Sequence, residues 1–316
     1  MKSVIISNND ANQRVDRFLM KLLPNANKNF IMKMIRKKNI VLNNKKIEAS
    51  TMLVVGDEIK IFFSDETYDK FSANKSDYAH VKLDIVYEDE NILVLDKPSG
   101  LLSHVSKNLM EKNLIDGAIH YLIEKGEYNP RIENSFVPAL CNRLDRNTAG
   151  LVIVGKNAEA LREMNKLIKS REVKKFYRAI VVGKAELDCE LRDNMKRDEE
   201  KNRSMISKSG VEMISHVKTI TADEKFSLVE IELITGRTHQ IRLQLANISH
   251  PILGDPKYGN YNTNEVLKDI NLNSKQLLAS VRLEFPELSG VLRELSNKKL
   301  VSRYLSKLNT IMEKLI

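Results

Sequence analysis

Only two cysteines occur in 316 residues, Cys141 and Cys189. They have no paired spacing for zinc and give no basis for a disulfide framework, so a reducing compartment suits the chain. His80, His104, His120, His216, His239 and His250 are scattered, and none forms a His-x-x-x-His pair. With no such cluster and no phosphate-loop motif, the sequence implies neither a metal site nor a cofactor. No apolar run approaches the length that crosses a bilayer. The opening Met1-Lys2-Ser3-Val4-Ile5-Ile6-Ser7-Asn8 has too short an apolar stretch for a secretory signal. A cytoplasmic protein without membrane contact is expected.

What the chain does have is charge of one sign in one place. Hydrophobic residues make up 42% and charged residues 29% of the sequence, enough for a packed core and a soluble surface. A length of 316 residues favours two domains, or one large domain with an appendage. The net charge is +9, yet residues 1–60 alone hold twelve Lys/Arg against five Asp/Glu, or +7. From Arg17 to Ile47 there are nine basic residues and no acidic one. Such asymmetry points to a polyanion-binding surface. The plain alternative is a solvated lysine-rich face.

Residues 1–65 read as a compact α/β unit. Val15, Phe18, Leu19 and Leu22 have helical spacing, and Pro24-Asn25 ends that helix. Phe30, Ile31, Met34 and Ile35 mark a second helix whose other face carries Lys33, Arg36, Lys37 and Lys38. Ile40-Val41-Leu42, the turn Asn43-Asn44 and Lys45-Lys46-Ile47 predict a short hairpin, since Asn tolerates the left-handed turn conformation. A last strand covers residues 58–63. This order resembles the small alpha-L RNA-binding domain found in a ribosomal small-subunit protein and in many RNA-modifying enzymes. The resemblance implies phosphate contact by Arg17, Lys28, Lys33, Arg36, Lys37, Lys38, Lys45 and Lys46, which gives affinity with little sequence reading. Residues 66–82 have mixed charge and no hydrophobic period, and are expected to be a flexible linker.

Residues 83–316 form the second predicted domain. Ile85-Val86-Tyr87 and Ile92-Leu93-Val94-Leu95 look like strands joined by an acidic turn, and residues 114–123 like a helix. A strand is predicted at Leu151-Val152-Ile153-Val154, a helix from the stripe Ala158, Leu161, Met164, Leu167 and Ile168, and a strand over 175–182. Residues 192–209 read as a charged insertion, and 213–220 and 226–233 as long strands. Leu300, Tyr304, Leu308, Ile311 and Leu315 have the spacing of a packed terminal helix. Helices and strands mix without a regular strand-helix-strand repeat, which favours α+β over a doubly wound sheet.

The chemistry concentrates in Asn142-Arg143-Leu144-Asp145-Arg146-Asn147-Thr148-Ala149-Gly150-Leu151. One carboxylate lies between two arginines, and the chain then runs through Thr and Gly into an apolar strand. Nearby guanidinium groups favour an ionised carboxylate, a competent nucleophile or general base. A structural ion pair in a polar turn shows the same four central residues. The full ten closely resemble the catalytic motif of RNA pseudouridine synthases of the RluA type, whose single essential residue is this Asp.

Further segments follow in that family's order. Tyr87-Glu88-Asp89, then Lys97-Pro98-Ser99-Gly100-Leu101 and His104, is similar to the entry of the catalytic domain. Its acidic residues Asp84, Glu88, Asp89 and Glu90 read as a solvated turn; Lys97-Pro98-x-Gly100 either touches a phosphate or makes a structural turn. Lys174-Lys175-Phe176-Tyr177-Arg178-Ala179 resembles the motif whose aromatic residue, here Tyr177, stacks on the target base. Thr235-Gly236-Arg237-Thr238-His239-Gln240-Ile241-Arg242, with His250-Pro251-Ile252 and Gly254-Asp255-Pro256-Lys257-Tyr258-Gly259, matches closely as well. In the family the arginine at the Arg242 position pairs with the catalytic aspartate. His239 and Asp255 are read as turn or packing residues, and residues 277–283 resemble the strand that closes the catalytic fold.

The resemblance implies a pseudouridine synthase domain on a mixed, mainly antiparallel sheet, behind a small N-terminal α/β RNA-binding domain. It implies Asp145, Tyr177 and Arg242 as catalytic residues, Arg143 and Arg146 as RNA contacts, and no cofactor. The reaction is an isomerisation in which uracil leaves the ribose, rotates while held, and rebonds through C5. The RNA-binding domain directs the expectation to large-subunit ribosomal RNA rather than tRNA, and Arg146 to a C-like member; a monomer is expected. The chain departs from the family pattern at Asn142, where His is usual, and at Asn147 and Ala149 in place of Asp and Ser. Two other classes fit parts of the sequence. One is a non-catalytic RNA-binding or ribosome-assembly factor on the same fold. The other is a hydrolase whose Asp attacks an anomeric carbon; it would release uracil, which a synthase retains.

Overall fold

The computed structural model describes residues 1–72, 78–104, 111–130, 132–198, 203–259, 267 and 276–316. In the N-terminal unit, β1 (Lys2–Ile5), β2 (Ile40–Leu42) and β3 (Glu58–Ile61) form an antiparallel sheet in the order β1-β3-β2. Helices α1 (Val15–Leu22) and α2 (Lys28–Arg36) accompany it, and Val15, Phe18, Leu19, Leu22, Ile31, Met34 and Ile35 are buried with the strands in one core. Asn27 caps α2 by accepting the Phe30 amide at 2.8 Å, a contact worth about 1 kcal/mol.

The unit departs from its sequence pattern in three places. Lys37 and Lys38 lie beyond the end of α2, Lys38 at φ +61°, so only Lys33 and Arg36 belong to the helix. The Asn43-Asn44 turn forms, with φ of +50° and +62°, but its return arm holds a single bridge from Leu42 to Lys45. The Asn43 side chain instead accepts the Glu58 amide at 2.9 Å and donates to Asp57 at 2.8 Å, tying the turn to β3. Finally, the expected linker begins as a helix, α3 (Asp65–Phe71), capped by Ser64 through the Thr67 amide at 3.2 Å. Tyr68 and Phe71 pack on the core; two apolar residues in seven are too few to show a period. Residues 73–77 of that linker lie outside the described residues.

The larger unit contains β4 (Ile85–Glu88), β5 (Ile92–Lys97), α4 (Leu114–Glu124), β6 (Ala139–Leu140), β7 (Ala149–Gly155), α5 (Ala158–Lys169), β8 (Lys174–Val182) and β9 (Asp188–Asp198). It continues through β10 (Arg203–Ile206), β11 (Val211–Ala222), β12 (Phe226–Leu233), α6 (Gln240–Asn247), β13 (Leu278–Glu284), β14 (Lys299–Val301) and α7 (Tyr304–Leu315). The sheet runs β10-β9-β11-β12-β8-β13-β7-β5-β4, with β14 on β13 and β6 on β7. Among the described strands of this sheet, β7–β13 is the one parallel pair. The mixed, mainly antiparallel α+β sheet therefore forms as expected.

β5 and β7 are continuous apolar runs because both of their faces are covered. Leu93, Leu95, Val152 and Val154 meet α4 on one face; Ile92, Val94, Leu151 and Ile153 meet α5 and the 3-10 turn Gly290–Leu295 on the other. At the β7–β13 seam Gly150 sits opposite Ser280 with φ +106°, and a Cβ there would overlap the Ser280 carbonyl oxygen. Only glycine lets the strands close there, directly after the Asp145 loop.

The expected charged insertion is corrected to strand: β9 and β10 extend the sheet to its edge beyond β11. An exposed edge hairpin has little apolar alternation to reveal it. Residues 199–202 of the insertion lie outside the described residues. Leu300 belongs to β14, and the terminal helix starts only at Tyr304. The two units touch through buried Asp10, which accepts from Ser135 Oγ at 2.6 Å and Asn134 Nδ2 at 2.9 Å, and through Asn9, which donates to Glu133 at 2.9 Å. No helix among the described residues is long and apolar enough to cross a membrane.

Candidate active site

Asp145 lies between β6 and β7 on a loop held from beneath. Buried Ser103 accepts the Leu144 amide at 3.1 Å and donates to the Leu144 carbonyl at 2.8 Å. Lys97 is fully buried, and its ammonium donates to the carbonyls of Leu101 at 2.8 Å, Arg146 at 3.0 Å and Pro98 at 3.1 Å. Burial pushes Lys97 down to about 7, while the charge of Asp145 pulls the other way. The Gly100 amide also reaches the Arg146 carbonyl at 2.8 Å, and Ser99 the Asn147 carbonyl at 2.8 Å. The Lys97-Pro98-x-Gly100 segment is thus a structural cradle that fixes the backbone on both sides of Asp145. Asn142, where the family pattern has His, bridges the strand end by accepting the Ile153 amide at 2.8 Å.

Opposite this loop, α6 presents Arg242. Its Nη1 donates to Asp145 Oδ2 at 2.9 Å, while Nε and Nη2 hold the two oxygens of Asp255 at 2.7 and 2.9 Å. Asp255 is buried, and it also accepts the amides of Lys257 at 2.8 Å and Tyr258 at 3.1 Å. Burial alone would raise its carboxyl; Arg242 and the two amides outweigh that and hold it below the usual carboxylate range. His239 begins α6 at φ +60°, with Nδ1 3.1 Å from the Tyr258 hydroxyl and Nε2 3.8 Å from Asp145 Oδ2. Burial lowers its pKa, with Asp145 opposing, which favours the uncharged ring.

Asp145, Tyr177, Arg242, His239 and Arg143 line one cavity of about 580 Å³, within the range that takes a small ligand. Tyr177 is buried on β8, and burial, with the charge of Asp145, pushes its phenol up to about 12. Cys141 also lines the cavity, but burial pushes its thiol up to about 12, so it is no rival nucleophile. Among the described residues, no His, Cys, Asp or Glu side chains group as metal ligands.

The structure brings together the three expected catalytic side chains and Arg143, which is exposed at the cavity. Arg146 does not join them; its guanidinium pairs with Glu111 at 2.7 Å. Arg17, Lys28, Lys33, Arg36, Lys37, Lys38, Lys45 and Lys46 are exposed on the small unit. Glu88, expected in a solvated turn, instead accepts from the Tyr121 hydroxyl at 2.8 Å, Lys125 at 2.9 Å and Lys156 at 3.1 Å, binding β4 to α4. Asp255 makes the turn expected of it, but its hold on Arg242 is not legible in the sequence. The two residues converge only once the loop after α6 folds back.

Residues 91–247 match the RNA pseudouridylate synthase family. Over 300 residues the chain is 31% identical to an uncharacterized RNA pseudouridine synthase of Mycoplasma genitalium, spanning 90% of this chain and 89% of that protein. It is 29% identical over 285 residues to a ribosomal large subunit pseudouridine synthase D of Neisseria meningitidis, spanning 87% of this chain and 72% of that one. The fold is shared with human RNA pseudouridylate synthase domain containing 4, at a TM-score of 0.52 and 22% identity over 71% of this chain and 92% of that one. The likeness to the Mycoplasma protein runs through both units rather than one motif, and it settles the lineage: the chain belongs to the RNA pseudouridine synthases of the RluA type, a family of isomerases.

Proposed function

We propose that Asp145 is the catalytic group of this synthase and that large-subunit ribosomal RNA is its substrate. The observation that carries the first part is the relay Asp255–Arg242–Asp145 at the wall of the cavity. Arg242 fixes Oδ2 of Asp145, and among the described residues Oδ1 has no protein partner. A uridine must leave its stack to enter. The Tyr177 ring then offers a platform for the base, while Asp145 acts at the sugar as nucleophile or proton acceptor. The N1–C1′ bond breaks, the uracil turns in place, C5 bonds to C1′, and the proton lost from C5 is balanced by one gained at N1. Substrate and product contain the same atoms, so the sequence of steps needs no co-reactant. All three side chains come from one chain, so the site is complete without a residue from a second subunit.

The relative from Neisseria is named for the large ribosomal subunit, and the small unit carries exposed cations suited to phosphate. Pseudouridine mapping of ribosomal and transfer RNA from cells lacking the protein tests the substrate. Loss at large-subunit uridines is expected. Loss confined to tRNA would overturn that reading, and no loss anywhere would favour an assembly factor.

Two further results are expected. Tyr177→Phe keeps the ring and should hold RNA affinity within about twofold, whereas Tyr177→Ala should weaken it at least about tenfold, the usual scale of base stacking on an aromatic ring. Since the phenol ionises only near 12, no tyrosine limb should appear in the pH–rate profile between about pH 6 and 9. Equal loss of affinity in both variants would remove Tyr177 as a platform. Second, Lys33, Arg36, Lys37 and Lys38 replaced together by Gln should flatten the salt dependence of RNA binding by about 0.7 to 0.9 for every phosphate no longer neutralised. Substitution is cleaner than deletion here, because Asp10 and Asn9 dock the unit. An unchanged slope would leave that face merely solvated.

A further inference from the structure

Among the described residues, and besides Arg143 and Arg242, four cations in the cavity wall face no carboxylate. Lys169 and Arg171 come from the end of α5, Lys175 from β8, and Arg237 from the loop before α6. Asp145 is the one acidic side chain among the described residues of that wall, and Arg242 already holds it. Other cations on the same sheet are paired: Arg178 with Glu230, Arg282 with Glu284, and Lys218 with Asp188.

Lys175 is the most informative of the four. It lies two residues before Tyr177 on β8, so the two side chains share a face about 6.7 Å apart along the strand. Its Nζ sits 3.9 Å from where a Cβ on Gly236 would be, inside the cavity rather than out in solvent. Burial depresses its pKa, and Arg171 depresses it further. That is a cation held beside another cation with no counter-ion between them.

Arg171 adds an independent observation. The Glu172 amide reaches the Leu167 carbonyl at 3.0 Å and the Arg171 amide the Ile168 carbonyl at 3.3 Å. This pattern closes α5 with Arg171 at φ +66°, in the position that ordinarily takes glycine. The chain therefore keeps a guanidinium where local geometry favours no side chain at all.

We propose that Lys169, Arg171, Lys175 and Arg237 form a phosphodiester-binding subsite that grips the RNA backbone next to the uridine seated on Tyr177. The assignment rests on reading the Asp145 cavity as the place that receives the target nucleotide. Extruding a nucleotide exposes the phosphates that flank it. A planar guanidinium takes two phosphate oxygens at once, and ammonium groups neutralise the remaining charge. The subsite is distinct from the basic face of the small unit, and it shares the cavity wall with the base platform. Its work is to hold the extruded strand segment in register with Asp145.

The test uses the full chain and a fluorescein-labelled oligouridylate, with binding followed by anisotropy over a range of KCl concentrations. Arg171→Gly and Lys175→Met should each weaken binding several-fold at low salt. The double variant should flatten the plot of log Kd against log salt by about 0.7 for each phosphate that the subsite no longer neutralises. Glycine suits the left-handed backbone at position 171, so Arg171→Gly should melt at or above the wild-type temperature, which separates a missing phosphate partner from a damaged fold. Unchanged affinity and slope in Arg171→Gly and in a folded double variant would overturn the subsite. The Asp145 reading is checked apart from this, by pseudouridine formation. An Asp145→Asn protein that still isomerised uridine would sink that reading and leave the salt slopes as they stand.

Discussion

An Asp145→Asn protein is expected to fold, to bind RNA and to form no pseudouridine. The substitution removes a charge with almost no change in volume, and the new amide oxygen still accepts from Arg242 Nη1, now 2.9 Å from Oδ2. The Asp145 side chain is 29% exposed, so its removal as a charge buries nothing new. The supports beneath the loop, Lys97 and Ser103, bind backbone atoms and keep those hydrogen bonds, although losing the Asp145 charge makes the Lys97 ammonium easier to deprotonate. Melting temperature and RNA affinity should therefore stay close to wild type. Turnover should not, because an amide is neither a nucleophile nor a proton acceptor at the sugar. A covalent step or an essential proton transfer accounts for losses of many decades, whereas a merely positioning group leaves a measurable rate. Single-turnover pseudouridine formation at saturating RNA is the measurement. A variant retaining a tenth of the wild-type rate, a cost of about 1.4 kcal/mol, would show that Asp145 is not the catalyst.

Elements that bury one face against near neighbours are legible in the sequence. The stripes on α1 and α5 and the apolar runs of β5 and β7 repeat with the period of the structure they form, and the structure reproduces them. Features without a period are not legible. The edge hairpin β9–β10 scatters its few apolar residues among charged ones, and α3 has only Tyr68 and Phe71 to bury. Lys97 shows a second limit. A lysine reads as solvated, and nothing local announces that three carbonyls will satisfy it in a fully buried position. The same holds for the cluster around Lys175, whose members come from α5, β8 and the loop before α6. The candidate site itself is legible only through family-like motifs. Without them, Asp145 is an acid in a polar turn and Tyr177 a tyrosine on a half-buried strand. What no motif conveys is that Asp255 belongs to the site as well as to its turn.

Asp255→Asn is expected to lower both stability and rate while sparing RNA affinity. The Asn side chain keeps an oxygen for the amides of Lys257 and Tyr258, so the turn after α6 survives. What it loses is the charge opposite Arg242, whose side chain is 7% exposed and whose Nε lies 2.7 Å from Asp255 Oδ2. Removing one partner of a buried ion pair typically costs about 3–5 kcal/mol, because the other charge stays buried without compensation. Arg242 retains Asp145 as its partner, which places the loss toward the lower end of that range. The guanidinium, no longer clamped on two sides, should shift, and Asp145 Oδ2 with it. A misplacement near 1 Å at a reacting group can cost about 100-fold in rate. Asp255 is itself too buried to touch RNA, so affinity should remain near wild type. Arg242→Met should show the same separation of rate from affinity more severely, since it leaves the Asp255 carboxylate buried with only the two amides. A loss of RNA affinity equal to the loss of rate in Arg242→Met would reassign that arginine to phosphate contact. A lowered melting temperature with an intact single-turnover rate in Asp255→Asn would confine that residue to the turn it caps.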